Sequence, residues 1–386
     1  MPEYLTDDID FAAYLKDTDA KTKVKPAADF VQDAKDRLRS RSKTKRVFLP
    51  WPKCNDSFEF RRGEVTVWAG QNGHGKTDVT TQIAMSLVGQ DEKVCVASFE
   101  MKPVTTIGRM VRMFAMTNPF SEEYQGDSGL EVLDVLYDDF GRWTEGRMWL
   151  YDQTGTARPD TVLGMVKYCA QELGITHVFI DSLMKCVKDE DDYNGQKSFI
   201  DQVCAMAKDC DIHIHVVHHL KKPSKEGDMP DKHDTKGSGS ITDQVDNLFM
   251  VWRNKPKEDA YKAMGDKSNK QTEPDCYLLC RKQRNYEGNS DGEPTIGLWR
   301  HRDAGNFVAN AGDRAQFLGN YPHVDSMSCM TPLQTKVLQH LIDVATGTKW
   351  NIPPQKATAW ESAKRFAEID PFQLADLPQL LTAEMK

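Results

Sequence analysis

Eight consecutive residues, Gly70, Gln71, Asn72, Gly73, His74, Gly75, Lys76 and Thr77, have the types and spacing that wrap a polyphosphate. In a GxxxxGKT segment the glycines let the backbone fold so that its N–H groups face an anion, the lysine reaches the terminal phosphates, and the threonine hydroxyl holds magnesium. The segment follows the apolar run Val65 to Ala69 and precedes a helical pattern that starts at Lys76, which is the setting such a loop requires. Gly70 through Asp78 are therefore expected to bind ATP and Mg2+.

Hydrolysis calls for two further carboxylates, one in the metal shell and one that polarises the attacking water. HVFIDS, residues 177–182, places Asp181 at the carboxyl end of a buried strand, the edge where open parallel sheets bind ligands. ASFEMKP, residues 97–103, places Glu100 at the end of another strand, as the water-polarising acid or as an ordinary cap of the helix that Pro103 begins. HIHVVHHLKKP, residues 213–223, ends a further strand with His218 and His219, where a polar group can sense the terminal phosphate and relay its loss to the next loop. A metal centre competes for the four histidines in this run. Against it, His213 and His215 alternate with Ile212 and Ile214 on one strand face, and no nearby Cys or Glu completes a shell.

These groups need a sheet to position them. From Gly63 onward short apolar strands alternate with helices, the pattern of an α/β fold whose mainly parallel sheet is covered on both faces. Strands are expected at 65–69, 93–99, 148–151, 177–180, 212–217, 247–252 and 277–281, with the sheet closing around 296–299 and 306–308. Helices are expected at 76–87, 104–117, 161–173 and 196–210. Asn254 to Pro274 is polar and reads as an exposed, mobile loop. Ahead of the sheet, residues 1–25 read as a flexible acidic tail. Residues 26–50 read as a linker helix with an apolar stripe (Ala27, Phe30, Val31, Ala34, Leu38) followed by a basic linker. The main domain is placed at 51–320 and a helical extension at 321–386.

Composition narrows the class. The chain has 386 residues with a net charge of −8, enough length to bury a core. The acidic total argues only weakly against nucleic acid, because a strand threaded through a ring needs basic groups on inner loops alone. Nine cysteines, an odd number without a CxxC pair, argue against a disulfide framework and a zinc module. No run approaches a membrane span and the acidic start resembles neither an export signal nor a transit peptide, so a cytoplasmic protein is expected.

Taken in order, GQNGHGKT, SFEM, FIDSLMK, VVHHLKKP, KGSGSITDQVDNLFMVWR and RKQRNYEG resemble the helicase domain of the DnaB and Twinkle ring helicases, from about Gly63 to Val308. The GSG element and the His-Leu pair are similar to the Twinkle and phage primase-helicase branch, and KQR to DnaB. The resemblance implies a RecA-like P-loop NTPase core acting as a DNA helicase in replication. It implies Glu100 as general base, Asp181 as the magnesium-supporting acid and His219 as phosphate sensor. Lys282 and Arg284 would reach a neighbouring subunit's phosphates, so the active unit would be a homo-oligomer, expected as a hexameric ring, with the helix Ala27 to Ser40 docking on the next subunit. Single-stranded DNA would meet two loops, 185–196 and 221–240. The second carries Lys221, Lys222, Lys236, Gly237, Ser238 and Gly239, although its acids bring its net charge near zero. Some fifty residues before the domain leave no room for a primase, so a separate primase or loader is expected. A RecA-like recombinase that forms a nucleoprotein complex without unwinding, and an ATPase ring acting on protein, are the competing functions.

Overall fold

In parallel strands buried on both faces, apolar residues run almost without interruption. Val65–Gly70 (β2) is such a strand, buried at every position, and it lies at the centre of the sheet. The computed structural model describes residues 45–315 apart from 117, 122–126, 188–191, 221–228, 232–238, 266–269, 271, 287–292 and 314, together with residues 3–5, 27, 28, 31, 32 and 35.

After β2 come α1 (Lys76–Gly89), β3 (Val94–Ser98), α2 (Pro103–Ala115), α3 (Asp127–Thr144), β4 (Met148–Tyr151) and α4 (Pro159–Glu172). The chain continues through β5 (His177–Asp181), α5 (Tyr193–Asp209), β6 (His213–His219), α6 (Gly239–Gln244), β7 (Asn247–Arg253) and α7 (Lys255–Met264). It closes with β8 (Cys276–Gln283), β9 (Thr295–Arg300) and β10 (Phe307–Val308). Glu3–Leu5, inside the stretch read as a flexible tail, form a short edge strand, β1, parallel to β4. The ten strands lie in the order β1-β4-β3-β5-β6-β2-β7-β8-β9-β10, parallel as far as β7 and antiparallel beyond it. The α/β architecture with a mainly parallel sheet is the one expected.

The two-residue period of β2 divides the core. Val65, Val67 and Ala69 pack on one face with residues of α4 and α5, whereas Trp68 packs on the other with Val79, Ile83 and Leu87 of α1. Gln82 ties α1 to the last strand as a strand neighbour would: its amide donates to the Phe307 carbonyl and accepts from the Phe307 N–H, each at 2.8 Å. Trp51, fully buried, donates its indole N–H to the same carbonyl at 2.8 Å. The segment before β2 is thereby stitched to the far end of the sheet.

Other elements depart from expectation as well. Helix α7 occupies part of the stretch read as a loop. None of its side chains is buried, so it has no apolar stripe to betray it; its signal is Asn254, which caps the helix by accepting from Lys257 N, followed by Pro256 in the first turn. Helix α3 was not foreseen either. Leu136, Phe140 and Trp143 of α3 are buried at helical spacing, but the acids Asp134, Asp138 and Asp139 break the run. Of the expected linker helix, Ala27 and Ala28 form a turn, Val31, Gln32 and Lys35 have helical backbone, and its other residues lie outside the described ones, as do residues 316–386. Of the nine cysteines, Cys54, Cys95, Cys169, Cys186, Cys204, Cys276 and Cys280 are buried free thiols.

Candidate functional site

The carboxyl ends of β2, β3, β5 and β6 converge on one open cavity of about 1280 Å³. Its floor is the loop between β2 and α1. Gly73 and Gly75 have φ of 76° and 87°, a left-handed backbone that suits glycine and lets the chain double back before the helix. At Gly70 the constraint is space, since a Cβ would lie 2.8 Å from Lys76 Cγ and 2.9 Å from the Val251 oxygen. Lys76 bends over this glycine, its ammonium donating to the carbonyls of Gly70 (2.9 Å) and Gln71 (3.0 Å), and burial holds its pKa below the ordinary lysine value. A cation held at the loop's centre by two weak acceptors is well placed to exchange them for phosphate oxygens.

Around Lys76 stand the two carboxylates. Thr77 donates its hydroxyl to Asp181 Oδ2 at 3.3 Å, pairing the two groups expected in a magnesium shell. Burial, followed by the charge of Glu100, pushes the Asp181 carboxyl up to about 6, against the opposing pull of Lys76, the Thr77 bond and His219. A buried carboxylate that is costly to ionise without a cation fits a site for a hard divalent ion. Glu100 behaves in the opposite way. Its Oε1 accepts from Ser182 Oγ at 2.9 Å and faces His219 Nε2 at 3.5 Å. The His219 bond holds its pKa down at about 2, with burial opposing and the Ser182 bond assisting. Two acids on adjacent strands thus have ionisations pushed apart by environment.

His74 and Asp78 take less expected places. His74 is buried, its Nδ1 accepts from the Arg253 N–H at 3.3 Å, and burial with the cations Lys255, Lys76 and Arg253 lowers its pKa to about 4, keeping it neutral. Asp78 is held by two arginines that line the cavity, Arg300 at 3.0 Å and Arg109 at 3.5 Å. Arg253 donates to the Gly73 carbonyl at 3.2 Å and is clamped by Glu258 of α7. Ser182, Arg253, Arg109 and Arg300 were missed in the sequence. Ser182 follows Asp181 directly and Arg253 ends a strand beside the phosphate loop, so position at strand ends was the available signal; Arg109 and Arg300 carry none.

The histidine cluster resolves into two groups. His219 joins the cavity and His218 beside it in sequence is buried, whereas His213 and His215 are buried with His177 near the opposite edge of the sheet. Thr66 Oγ1 lies 2.8 Å from His213 Nε2, Trp68 donates to His215 Nδ1 at 3.2 Å, and His215 Nε2 lies 3.1 Å from His177 Nδ1. Burial depresses all three, His213 to about 4. Among the described residues no group of three or more metal-ligating side chains forms.

Lys282 and Arg284 are not at the cavity. They lie at the end of β8, beside the start of β7, where Lys282 donates to the carbonyls of Thr242 and Asp243 and Arg284 pairs with Asp246. Of the expected DNA-contacting residues, Lys221, Lys222, Lys236, Gly237 and Ser238 lie outside the described residues, and Gly239 opens α6. In the other loop, Asp192 caps α5 by accepting from Gly195 N at 2.9 Å.

A phosphate loop between the central strand and its helix, with acids at the ends of neighbouring parallel strands, defines a P-loop NTPase of RecA-like fold. More particularly, residues 57–290 match the DnaB-like helicase C-terminal domain, and the chain belongs to that family of ATP-dependent helicases. The fold is similar to a solved structure titled as an ATPase domain (TM-score 0.61, 17% identity, 74% of this chain and 99% of that chain). It is similar also to a structure titled for a DnaB-like replicative helicase and its interactions with primase (TM-score 0.59, 16% identity, 74% of this chain and 67% of that one). Among the described residues no helix is long and apolar enough to cross a membrane.

Proposed function

We propose that this chain is a ring-forming motor that couples ATP hydrolysis at subunit boundaries to movement along single-stranded DNA and to duplex unwinding during replication. One observation carries the subunit boundary. Arg284 is anchored through Asp246, whose other oxygen accepts from Val65 N at the first residue of β2, while the phosphate loop begins at Gly70, the last. Five steps of about 3.3 Å along a strand separate the two ends by roughly 17 Å, farther than an arginine reaches. An ATP phosphate within reach of Arg284 would therefore be one bound to another copy of the chain.

Within one subunit, Lys76 leaves the Gly70 and Gln71 carbonyls to hold the terminal phosphates. Thr77 and Asp181 would hold Mg2+, which supplies neutralisation of phosphate charge. Glu100, ionised across the working pH range, orients the attacking water by accepting its hydrogen bond. With a pKa of about 2 it is a weak base, so it takes the proton only late in the reaction. His219 bonds Glu100 and directly precedes the segment from Leu220 into the expected DNA loop, a short path from the phosphates to that loop. Single-stranded DNA would follow the lysines and the GSG backbone of that loop. A separate primase or loader would complete the assembly.

Two variants test the shared site. Lys76→Ala and Arg284→Ala are each expected to lose turnover, and mixed together to regain part of it, because some boundaries then combine an intact loop with an intact arginine. Mixtures as inactive as their parts would refute the shared site. A tailed duplex tests the motor: wild type that hydrolyses ATP on DNA yet never separates strands would favour a recombinase-like nucleoprotein complex.

A further inference from the structure

The end of β8 is tethered more firmly than an ordinary surface strand end. The Arg284 side chain is 42% exposed, yet it donates to Asp246 Oδ1 (3.2 Å) and to the carbonyls of Asp243 (2.9 Å) and Gln244 (3.1 Å). Lys282 donates to the carbonyls of Thr242 (2.7 Å) and Asp243 (2.8 Å). Both cations therefore bond carbonyls of the last turn of α6, where a cation favours the helix end. Next in the chain, Asn285 donates to Glu64 Oε1 at 2.7 Å. Asp246 and Glu64 are themselves buried, and they lie against or beside the first residue of β2: Asp246 accepts from Val65 N at 3.0 Å, and Glu64 is the residue before it.

Burying a carboxylate is costly, and an apolar side chain of similar volume often packs more stably. The charge at Asp246 is accounted for by what it orients. We infer that Asp246, assisted by Glu64 through Asn285, is a positioning residue that aims Arg284 at a neighbouring subunit and ties that aim to the end of α6. The inference rests on the trans-acting role of Arg284 proposed above. It adds that the guanidinium facing the neighbour's nucleotide also caps the helix that follows residues 221–238, so a change at one is felt at the other.

The test is steady-state ATP turnover of the assembled protein, with and without single-stranded DNA, for wild type, Asp246→Asn, Arg284→Ala and the double variant, with thermal melting of each. Asparagine keeps an acceptor for Val65 N while removing the charge that faces Arg284. Because a displacement near 1 Å costs on the order of a hundredfold, Asp246→Asn is expected to lower kcat by about 10- to 100-fold. The KM for ATP should stay within about threefold, since each subunit's own loop binds its nucleotide. In the Arg284→Ala background, Asp246→Asn should lower kcat no further. If Arg284→Ala keeps wild-type kcat, the trans-acting role falls and the inference with it. If Arg284→Ala loses turnover while Asp246→Asn keeps it, or if the two losses multiply, only the positioning role falls. Should Asp246→Asn fail to fold, Asn285→Ala removes the second tether from an exposed position. A lower kcat at unchanged KM and melting temperature supports the inference, and wild-type kcat overturns it.

Discussion

Replacing Asp181 by asparagine should stabilise the nucleotide-free protein while abolishing turnover. Burial raises this carboxyl from 3.8 to about 6, so ionising it costs the folded state and not the unfolded one. Because the folded-state pKa is the higher, the favourable contribution is present below pH 3.8 and is lost as pH rises through about 6. Roughly two pKa units at 1.36 kcal/mol each give a penalty of about 3 kcal/mol at pH 8, falling to about half of that at pH 5. The asparagine side chain lacks the charge and keeps an acceptor for Thr77, so most of the penalty should be recovered. For a domain of this size that corresponds to a rise of about 4–10 °C in melting temperature. The assay is thermal unfolding in EDTA without nucleotide, at pH 8 and pH 5, for wild type and Asp181→Asn. A variant that melts at or below wild type at pH 8, or that gains equally at both pH values, would refute the assignment of burial as the dominant cause. Saturating Mg2+ and ATP should reverse the order, because only the wild type gains a bound cation.

The buried histidines predict the opposite pH dependence. Their folded pKa values lie below the ordinary 6.5, so their contribution is present above pH 6.5 and lost as pH falls through about 4. His215→Phe should flatten that acid limb in a melting curve, yet cost about 1–3 kcal/mol at pH 8 by leaving the Trp68 N–H unpaired. Gly70→Ala places a methyl 2.8 Å from Lys76 Cγ and should weaken nucleotide binding at least about tenfold, about 1.4 kcal/mol, in a fluorescent-nucleotide titration. Asn254→Ala removes the cap of α7 and the bonds to Glu273 and Pro274, and should lower stability by about 1–2 kcal/mol in urea unfolding.

The sheet was legible because its information is local. β2, β5 and β7 are runs of buried apolar residues whose bounds a window of a few positions reveals, and the phosphate loop carries its chemistry in eight adjacent residues. Asp181 and Glu100 could be placed at strand ends by the same local reasoning, since a parallel sheet delivers all its carboxyl ends to one edge. Helix α7 escaped because an exposed helix has no apolar period, leaving only its capping residue to mark it.

Sequence alone determined that a phosphate-wrapping loop sits between an apolar strand and a helix, and which residue types lie at the strand ends beside it. Tertiary structure decided how those residues behave. Ser182 meets Glu100 across 82 positions, Arg300 meets Asp78 across 222, and Arg284 meets Asp246 across 38. Such contacts follow from which strands become neighbours, and no local period encodes that order. Burial, too, is a property of the assembled sheet, and it makes Asp181 reluctant to ionise while hydrogen bonds keep Glu100 charged. It also turned part of a run of histidines resembling a metal site into a neutral network in the core.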